Sequence, residues 1–272
     1  MSTLDPADIA DWQSAVGRQQ IEDQTLDGQY LRRYALAVGL SEDGTHPPLA
    51  HWAFFLPAPS DERIGPDGHP KRGDFLPDVS LPRRMFASAT MEFSEPLLIG
   101  MEARLTSTVT DITHKSGSSG DLVFARVERV LSQAGLDRVR EEQTYVYRAD
   151  GEPVPMPIPA SPPPAGELWE PDEVNLFRFS AATFNGHRIH YDLPYARGVE
   201  GYPSLVIHGP FTAAKLALLA SRDGDLASFS FRAQAPLFLG QPVFLQRGES
   251  TGEYCAVRAD GVIAMTAQVN FR

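Results

Sequence analysis

A proline-rich segment divides this chain of 272 residues into two parts. Eight prolines lie between Pro153 and Pro171. Proline has no backbone N–H to donate, and it disrupts the interior of helices and sheets. Residues 149–172 are therefore predicted to form an extended linker. It would join an N-terminal unit of residues 1–148 to a C-terminal unit of residues 173–272.

Both units have the same predicted order of elements, a helical part followed by four strands. Helical patterns cover residues 5–38, in two pieces, and residues 203–219, and alternating apolar and polar positions come after each of them. The units also share a pentapeptide after an alternating stretch, PLLIG at 96–100 and PLFLG at 236–240. We therefore predict an α+β fold made by tandem duplication, in which each unit wraps an antiparallel sheet around a helix.

Composition restricts the partners and the location of the protein. The net charge is −11, so a surface that binds the phosphates of nucleic acids is not expected. The sequence has no apolar run of ~20 residues and no N-terminal signal pattern, and its single cysteine, Cys255, cannot form an internal disulfide. We expect a cytoplasmic protein that does not bind a membrane. A long loop at residues 61–82 is expected to cover a pocket.

Residues 177–210 concentrate side chains that can transfer a proton, including three of the seven histidines. Three interpretations are open. The polar residues can simply form a turn and a helix start. The pattern His187-x-x-His190-x-Asp192 can supply two imidazoles and a carboxylate to a metal. Alternatively, a histidine acts as acid and base at neutral pH, while the N–H of Gly209 at a helix start stabilises an enolate oxygen.

The same stretch resembles the signature of the MaoC-like, (R)-specific enoyl-thioester hydratases and dehydratases. The resemblance is carried by TFNGHRIHYD at 183–192 and by the pair His208-Gly209. TFNGHRIHYD is similar to a branch with mitochondrial-type 3-hydroxyacyl-thioester dehydratases and with mesaconyl-C4-CoA and itaconyl-CoA hydratases. Stretches of the N-terminal half resemble that branch as well: YALAVG at 34–39, PPLAHWAFFLP at 47–57, GPDGHPKRGDFLP at 65–77 and LPRRMF at 81–86.

The resemblance implies a double hot-dog fold that binds an acyl-thioester between its units. Because the N-terminal unit has no counterpart of the motif N-x-H-x-x-H-x-D, we expect it to be catalytically silent and to form walls of the acyl pocket. The resemblance also implies that His190 is the catalytic histidine and that Gly209 is the backbone donor to the thioester oxygen. Asn185 stands where the wider family has a catalytic aspartate; an amide cannot act as a base, but it can orient water. The candidate substrate-binding residues are His187, Asp192, His208, Arg84 and Tyr195.

Two of these candidates have more specific expected roles. Asp192 is expected to tune His190, which lies two residues before it. Arg84, with Arg83, is expected to bind the phosphates of CoA, because guanidinium groups suit phosphate geometry. The alternative for the arginine pair is a solvated strand start.

The implied activity is the addition or removal of water at an enoyl-thioester, without a metal or redox cofactor and with CoA only as part of the substrate. The substrate is either a C5 dicarboxylic enoyl-CoA, such as mesaconyl-C4-CoA or itaconyl-CoA, or a fatty 3-hydroxyacyl thioester on CoA or a carrier protein. A non-catalytic acyl-CoA-binding protein and a thioesterase on the same fold stay open. A homodimer is expected by analogy with other hot-dog proteins.

Overall fold

The computed structural model describes residues 4–41, 46–117 and 120–272. These residues contain five α-helices and ten β-strands, and the strands form one antiparallel sheet. The helices are α1 Pro6–Gln13, α2 Gly28–Val38, α3 Glu173–Thr183, α4 Leu193–Gly198 and α5 Gly209–Ala220. The strands are β1 Gln19–Thr25, β2 Arg83–Phe93, β3 Glu102–Gly117, β4 Gly120–Gln133, β5 Leu136–Arg148, β6 Glu167–Trp169, β7 Leu226–Ala233, β8 Val243–Arg247, β9 Glu253–Arg258 and β10 Ile263–Phe271. Short 3-10 helices lie at Ala50–Ala53, Asp61–Arg63 and Arg188–His190. Within the three described ranges, no helix is long and apolar enough to cross a membrane.

The sheet has two halves with the same internal order. β2 and β7 pair at its centre, with Met91 opposite Phe229. Outward from this seam the strands run β2-β5-β4-β3-β1 on one side and β7-β10-β9-β8-β6 on the other. Each strand of the second half therefore corresponds to the strand five earlier in the first half. This order fits a duplicated unit, and the seam joins both units into one continuous sheet.

The helix of the N-terminal unit, α2, begins and ends at residues that favour helix termini. The Asp27 side chain accepts a hydrogen bond from the Gln29 N–H at 2.7 Å. Gly39 ends the helix with a φ of 97°, a conformation that glycine adopts without steric cost. The buried face consists of Leu31, Tyr34, Ala35, Ala37 and Val38. The helix predicted at 29–38 is confirmed.

The helix of the C-terminal unit, α5, starts later than its apolar pattern predicts. Eight of its twelve residues are buried, and Pro210 occupies the first turn, where its missing N–H needs no partner. The predicted start at residue 203 is wrong. The Ile207 N–H donates to the Leu237 carbonyl at 2.9 Å and Val206 forms an isolated bridge, so the apolar residues before 209 are extended.

Two edge strands contradict the sequence-based prediction. β1 falls within the span predicted to hold two helices; its sequence, QQIEDQT, is mostly polar, and its partner β3 provides the hydrogen bonds that make it a strand. β6 lies inside the predicted linker, which is therefore wrong for Glu167–Trp169. No proline occurs between Pro164 and Pro171, so these residues can pair with β8 and bury Trp169.

Candidate active site

A large cavity lies between the two units. Its volume is about 1310 Å³, more than the ~300–1,000 Å³ of most small-molecule pockets. The N-terminal unit contributes β2, β5 and the loop at 61–82, and the C-terminal unit contributes α3, the segment at 184–191 and the start of α5. The prediction that the long loop covers a pocket is confirmed, and the cavity is large enough for an extended ligand.

His190 presents an unprotonated nitrogen at this cavity. It lies in the 3-10 turn Arg188–His190 and is buried, although it lines the cavity. Its Nδ1–H donates to the Val206 carbonyl at 2.7 Å, since a carbonyl oxygen can only accept. Neutral His190 therefore carries a bare lone pair on Nε2. Burial lowers the pKa of His190 to about 3, which keeps the ring neutral at physiological pH.

His208 supports His190 from behind. The two rings are stacked with centroids 3.6 Å apart and planes inclined by 21°. His208 Nε2 is hydrogen-bonded to Ser180 Oγ at 2.8 Å. The ring is fully buried and does not line the cavity, and burial lowers its pKa well below the ordinary value. The structure therefore places this candidate substrate-binding residue behind the catalytic candidate, not in the cavity wall.

Gly209 brings the positive end of a helix to the cavity. It is the first residue of α5, so its N–H has no carbonyl partner within the helix. The helix dipole adds to the effect of this N–H on a nearby anion. The glycine lines the cavity, and a Cβ on it would come within 3.9 Å of the Phe86 carbonyl on β2. Its position suits a donor to an oxyanion.

Asn185 and His187 line the cavity next to His190. The Asn185 Oδ1 accepts a hydrogen bond from the His187 N–H at 3.0 Å, and the Asn185 N–H donates to the Ser180 carbonyl at 2.8 Å. These bonds fix the amide at the end of α3. The rings of His187 and His190 have centroids 5.4 Å apart. Burial, assisted by the neighbouring histidines, lowers the pKa of His187 to about 2.

Asp192 and Tyr195 are not brought to the cavity. Asp192 accepts hydrogen bonds from the Arg188 side chain at 2.7 Å and from the Tyr195 N–H at 3.1 Å, where it caps α4. Tyr195 is buried under the Arg188 guanidinium, which lies 4.1 Å from its ring centre. Asp192 therefore does not tune His190, whose Nδ1 is bonded to Val206. The metal site His187-x-x-His190-x-Asp192 is not assembled either.

The two arginines at the start of β2 have different surroundings. Arg83 donates to Asp150 at 3.0 Å and to the Glu200 carbonyl at 2.8 Å, so its guanidinium is bound within the protein. Arg84 lines the cavity, and its charge contributes to lowering the pKa values of His69 and His187. Among the described residues, Arg84 makes no ion pair with a carboxylate. The arginine is thus beside the histidines and is available to an anion.

The N-terminal loop supplies two site residues that the sequence pattern did not indicate, Asp67 and His69. Both line the cavity, and the rings of His69 and His187 lie against each other with centroids 4.0 Å apart and planes inclined by 40°. The ligand atoms of Asp67, His69 and His187 all lie within 4.8 Å of one another, the one such grouping among the described residues. In the sequence, both residues lie in GPDGHPKRGDFLP, which resembles the family branch, but the resemblance gave them no role and the turn-like GPDGHP by itself is typical of a surface loop.

Known proteins share this combination of fold and sequence. The sequence profile of the hydroxyacyl-thioester dehydratase type 2 family matches residues 49–239. The chain is 43% identical to the mesaconyl-C(4)-CoA hydratase of Chloroflexus aurantiacus, over 96% of this chain and 98% of that protein. The chain belongs to the hydroxyacyl-thioester dehydratase type 2 family. It is also 24% identical to the mitochondrial type 2 dehydratase of Schizosaccharomyces pombe, over 72% of this chain and 75% of that one.

Solved structures share the fold of this chain. HtdX of Mycobacterium tuberculosis superposes with a TM-score of 0.67 at 19% identity, over 94% of this chain and all of that chain. A MaoC-like dehydratase from Phytophthora capsici superposes with a TM-score of 0.68 at 15% identity, over 95% and 97% of the two chains. The predicted family and double hot-dog fold are confirmed. The chain is a hydro-lyase of the hydroxyacyl-thioester dehydratase type 2 family.

Proposed function

We propose that the protein adds water across the double bond between C2 and C3 of an enoyl-CoA thioester, or removes it in the reverse reaction, with His190 as the proton-transfer residue. The observation that carries this proposal is the bare Nε2 of His190 in a large cavity, beside the N-terminus of α5. A base and an oxyanion donor on the same cavity wall are the two groups that addition to a conjugated thioester requires.

In the hydration direction, water donates a hydrogen bond to His190 Nε2. As the water oxygen bonds to C3, His190 takes the proton and the π electrons of the double bond move toward the thioester oxygen. The Gly209 N–H stabilises the enolate that forms, because the developing charge meets a free donor and the helix dipole. A proton delivered to C2 completes the 3-hydroxyacyl thioester, and the same steps in reverse eliminate water.

Asn185 takes part as a donor and not as a base. Its Oδ1 is engaged by the His187 N–H, so the Nδ2 group is its remaining hydrogen-bonding end. An amide N–H at this place can hold the oxygen of the attacking water or of the leaving hydroxyl. Asn185 therefore orients the reactant, and the proton is transferred by imidazole groups.

We further propose that the substrate is a C5 dicarboxylic enoyl-CoA. Arg84 supports this proposal, because it is a cation that lines the cavity near His187 and has no carboxylate partner among the described residues. The relationship to the mesaconyl-C(4)-CoA hydratase of Chloroflexus aurantiacus points the same way. The free carboxylate of such a substrate would pair with the guanidinium. The fatty 3-hydroxyacyl thioester is the alternative that the test below separates.

The proposed chemistry uses only side chains and backbone of this chain, with CoA as part of the substrate. A cytoplasmic location would suit the unpaired thiol of Cys255. A homodimer remains a prediction by analogy with the fold.

The test is a panel of enoyl-CoA esters incubated with the purified full-length protein. Loss of the enoyl-thioester absorbance band reports water addition, and a thiol-trapping dye reports release of free CoA. We expect water addition without thiol release, fastest with the C5 dicarboxylic esters. Fastest turnover of long monocarboxylic esters would favour the fatty substrate. Thiol release would favour a thioesterase, and binding without turnover, detected by isothermal titration, would contradict an enzyme.

A further inference from the structure

We propose that His69, held by Asp67, is the second acid–base residue of the site and takes the place of the carboxylate that Asn185 lacks. The proposal rests on the proposed function and assigns the residue that carries the proton of C2. It makes the N-terminal unit a contributor to catalysis, whereas the sequence predicted that unit to be catalytically silent.

Two glycines bring His69 to the site. Gly68 has a φ of +86°, and a Cβ on it would clash with the carbonyl oxygen of Gly186; a Cβ on Gly186 would lie 2.8 Å from the Gly68 carbonyl oxygen. The two backbones therefore touch. Arg188 adds two hydrogen bonds, from its N–H to the Asp67 carbonyl at 2.9 Å and from its side chain to the Pro66 carbonyl at 3.0 Å. The loop is thus fastened to the segment that carries His187 and His190.

Asp67 determines how His69 is oriented. The Asp67 Oδ1 accepts the His69 backbone N–H at 3.0 Å, and Oδ2 lies 3.1 Å from His69 Nδ1. Although burial acts to raise the pKa of Asp67, its hydrogen bonds with His69 lower it overall, so the carboxylate is ionised. An ionised carboxylate only accepts, so Nδ1 of His69 carries the hydrogen and Nε2 is bare. His69 therefore repeats the arrangement of His190, with a carboxylate in place of a carbonyl.

The histidines form a row along the cavity wall. The ring centroids of His69 and His187 are 4.0 Å apart, and those of His187 and His190 are 5.4 Å apart. All three line the cavity. His187 thus lies between two imidazoles whose Nδ1 atoms are both engaged, and it can accept a proton on one nitrogen while it releases one from the other.

The three histidines can transfer the proton of the reaction among themselves, from the attacking water to C2. In hydration, His190 takes a proton from water as the water oxygen bonds to C3. The proton passes through His187 to His69, where the negative charge of Asp67 stabilises the imidazolium. His69 then gives it to C2 of the enolate as the C2–H bond forms and the electrons leave the thioester oxygen. Every histidine ends neutral and no other reactant is consumed; His187 ends as its other tautomer and must exchange its N–H between the two ring nitrogens before the next turnover.

Arg84 favours proton transfer over metal binding at this cluster. The set Asp67, His69 and His187 also has the composition of a divalent-metal site. However, the charge of Arg84 contributes to lowering the pKa values of both His69 and His187. A fixed cation that opposes the binding of a proton at these rings opposes a divalent cation more strongly. The same cation attracts an anionic substrate.

The test compares His69→Gln with His114→Gln in the full-length protein, on the ester that wild type hydrates fastest in the panel. His114 forms a similar pair with Asp121, at 2.8 Å, in the β3–β4 hairpin away from the cavity. We expect His69→Gln to lower kcat by about 100-fold or more with KM changed by less than about 3-fold, as for the loss of an acid–base group. The His114→Gln variant should retain wild-type kcat, and both should unfold cooperatively near the wild-type temperature.

Asp67 is a positioning residue, and a pH profile tests its role. Asp67→Asn keeps the oxygen that accepts the His69 N–H but removes the charge. The titratable and charged groups around His69 are Asp67, the histidines His187 and His190, and the cations Arg84 and Arg72. Without the anion, the pKa of His69 falls further, so the acid limb of kcat/KM should move to lower pH in Asp67→Asn as kcat decreases. Asp67→Glu should restore part of the rate, whereas a purely structural role would leave the profile in place.

Three results would overturn the proposal. Wild-type kcat in His69→Gln, with His190→Gln inactive, would remove His69 from the mechanism and leave the proposed function intact. If the wild-type protein adds water to no ester of the panel, both the role of His69 and the proposed function are wrong. Loss of activity after chelation, restored by zinc chloride alone, would assign Asp67, His69 and His187 to a metal; we expect chelation to leave the rate unchanged.

Discussion

Three of the four imidazoles of the site are held by different hydrogen-bond partners, and we base their proposed roles on this difference. His190 is bonded to a carbonyl, His208 to the hydroxyl of Ser180, and His69 to a carboxylate. His190 could be predicted from the sequence because it lies in a motif. His69 could not be, because its place depends on the contact between two distant glycines, which no local pattern encodes.

At the same scale, Arg84 is expected to determine the preference for a carboxylate. Replacing Arg84 by Gln keeps polarity but removes the charge-assisted hydrogen bond. We expect KM for the C5 dicarboxylic ester to rise roughly 10- to 100-fold, the range for loss of a hydrogen bond to a charged group. The kcat/KM of crotonyl-CoA, which has no free carboxylate, should change by less than about 3-fold. Steady-state kinetics on both esters give the comparison.

Arg126→Gln is the matched control for this prediction. Arg126 lies on β4, is half-exposed and does not line the cavity. The Arg126→Gln variant should therefore have wild-type KM for the dicarboxylic ester and wild-type kcat/KM for crotonyl-CoA. An equal loss on both esters in Arg84→Gln would show that the guanidinium binds the CoA part, as the sequence first suggested for the arginine pair, and would contradict its assignment to the acyl carboxylate.

Helices and strands were predictable where the hydrophobic periodicity and the residues at the ends of the element indicate the same structure. They were not predictable where contacts with residues distant in sequence determine the conformation. The strands β2 to β5 follow an alternating pattern, and α2 has an aspartate cap and a terminal glycine. β1 is polar and becomes a strand because β3 pairs with it. The apolar residues before α5 have helical spacing, but the Leu237 carbonyl holds Ile207 in an extended segment.

The docking of the loop at 61–82 gives a prediction at the scale of elements. Gly68→Ala introduces a Cβ that clashes with the Gly186 carbonyl, so the loop must withdraw from the His187 segment. We expect kcat to fall by about 10-fold or more because His69 moves with the loop. The core of the sheet does not involve this contact, so circular dichroism should show native secondary structure. Steady-state kinetics measure the loss.

Gly100→Ala separates the clash from the backbone strain. Gly100 has a φ of +83°, close to that of Gly68, but nothing lies within 4 Å of its Cβ position. Both substitutions therefore place a residue with a Cβ in the left-handed region, which costs roughly 1 kcal/mol of stability. Only Gly68→Ala should lose activity. Equal activity in the two variants would mean that the loop does not position a catalytic group.

At the scale of the whole molecule, the site depends on both halves of the sheet. The β2–β7 seam holds the units side by side, and the cavity between them takes Arg84 and His69 from the first unit and His190 and Gly209 from the second. The sequence indicated two units and the catalytic motif of one. It did not indicate that the first unit reaches across to that motif, because this contact forms only when both units are folded.

Two buried histidines, His190 and His208, and the partly buried His187 make the stability of the molecule depend on pH. Burial lowers the pKa values of His187, to about 2, of His190, to about 3, and of His208, whereas an unfolded chain has ~6.5. Between these values the unfolded state binds more protons, so stability rises with pH and is lost as pH falls from about 6.5. Each ring contributes at most about 1.4 kcal/mol per pH unit in this window.

Denaturant unfolding at pH 7, 6 and 5 measures this dependence. We expect the free energy of unfolding to fall by several kcal/mol from pH 7 to pH 5, roughly 2 kcal/mol for each buried ring. His208→Gln should reduce the slope of the free energy of unfolding against pH by the contribution of one proton, whatever its effect on stability at pH 7. A free energy of unfolding that is constant from pH 7 to pH 5 would contradict the burial of neutral imidazoles.

The central claim is that His190 transfers the proton when water adds to an enoyl-thioester. The most direct measurement is the rate of loss of the enoyl-thioester absorbance with wild type, His190→Gln and His114→Gln on the best ester of the panel. We predict turnover by wild type and by His114→Gln, and a kcat at least about 1,000-fold lower for folded His190→Gln. Wild-type turnover by folded His190→Gln would contradict the account.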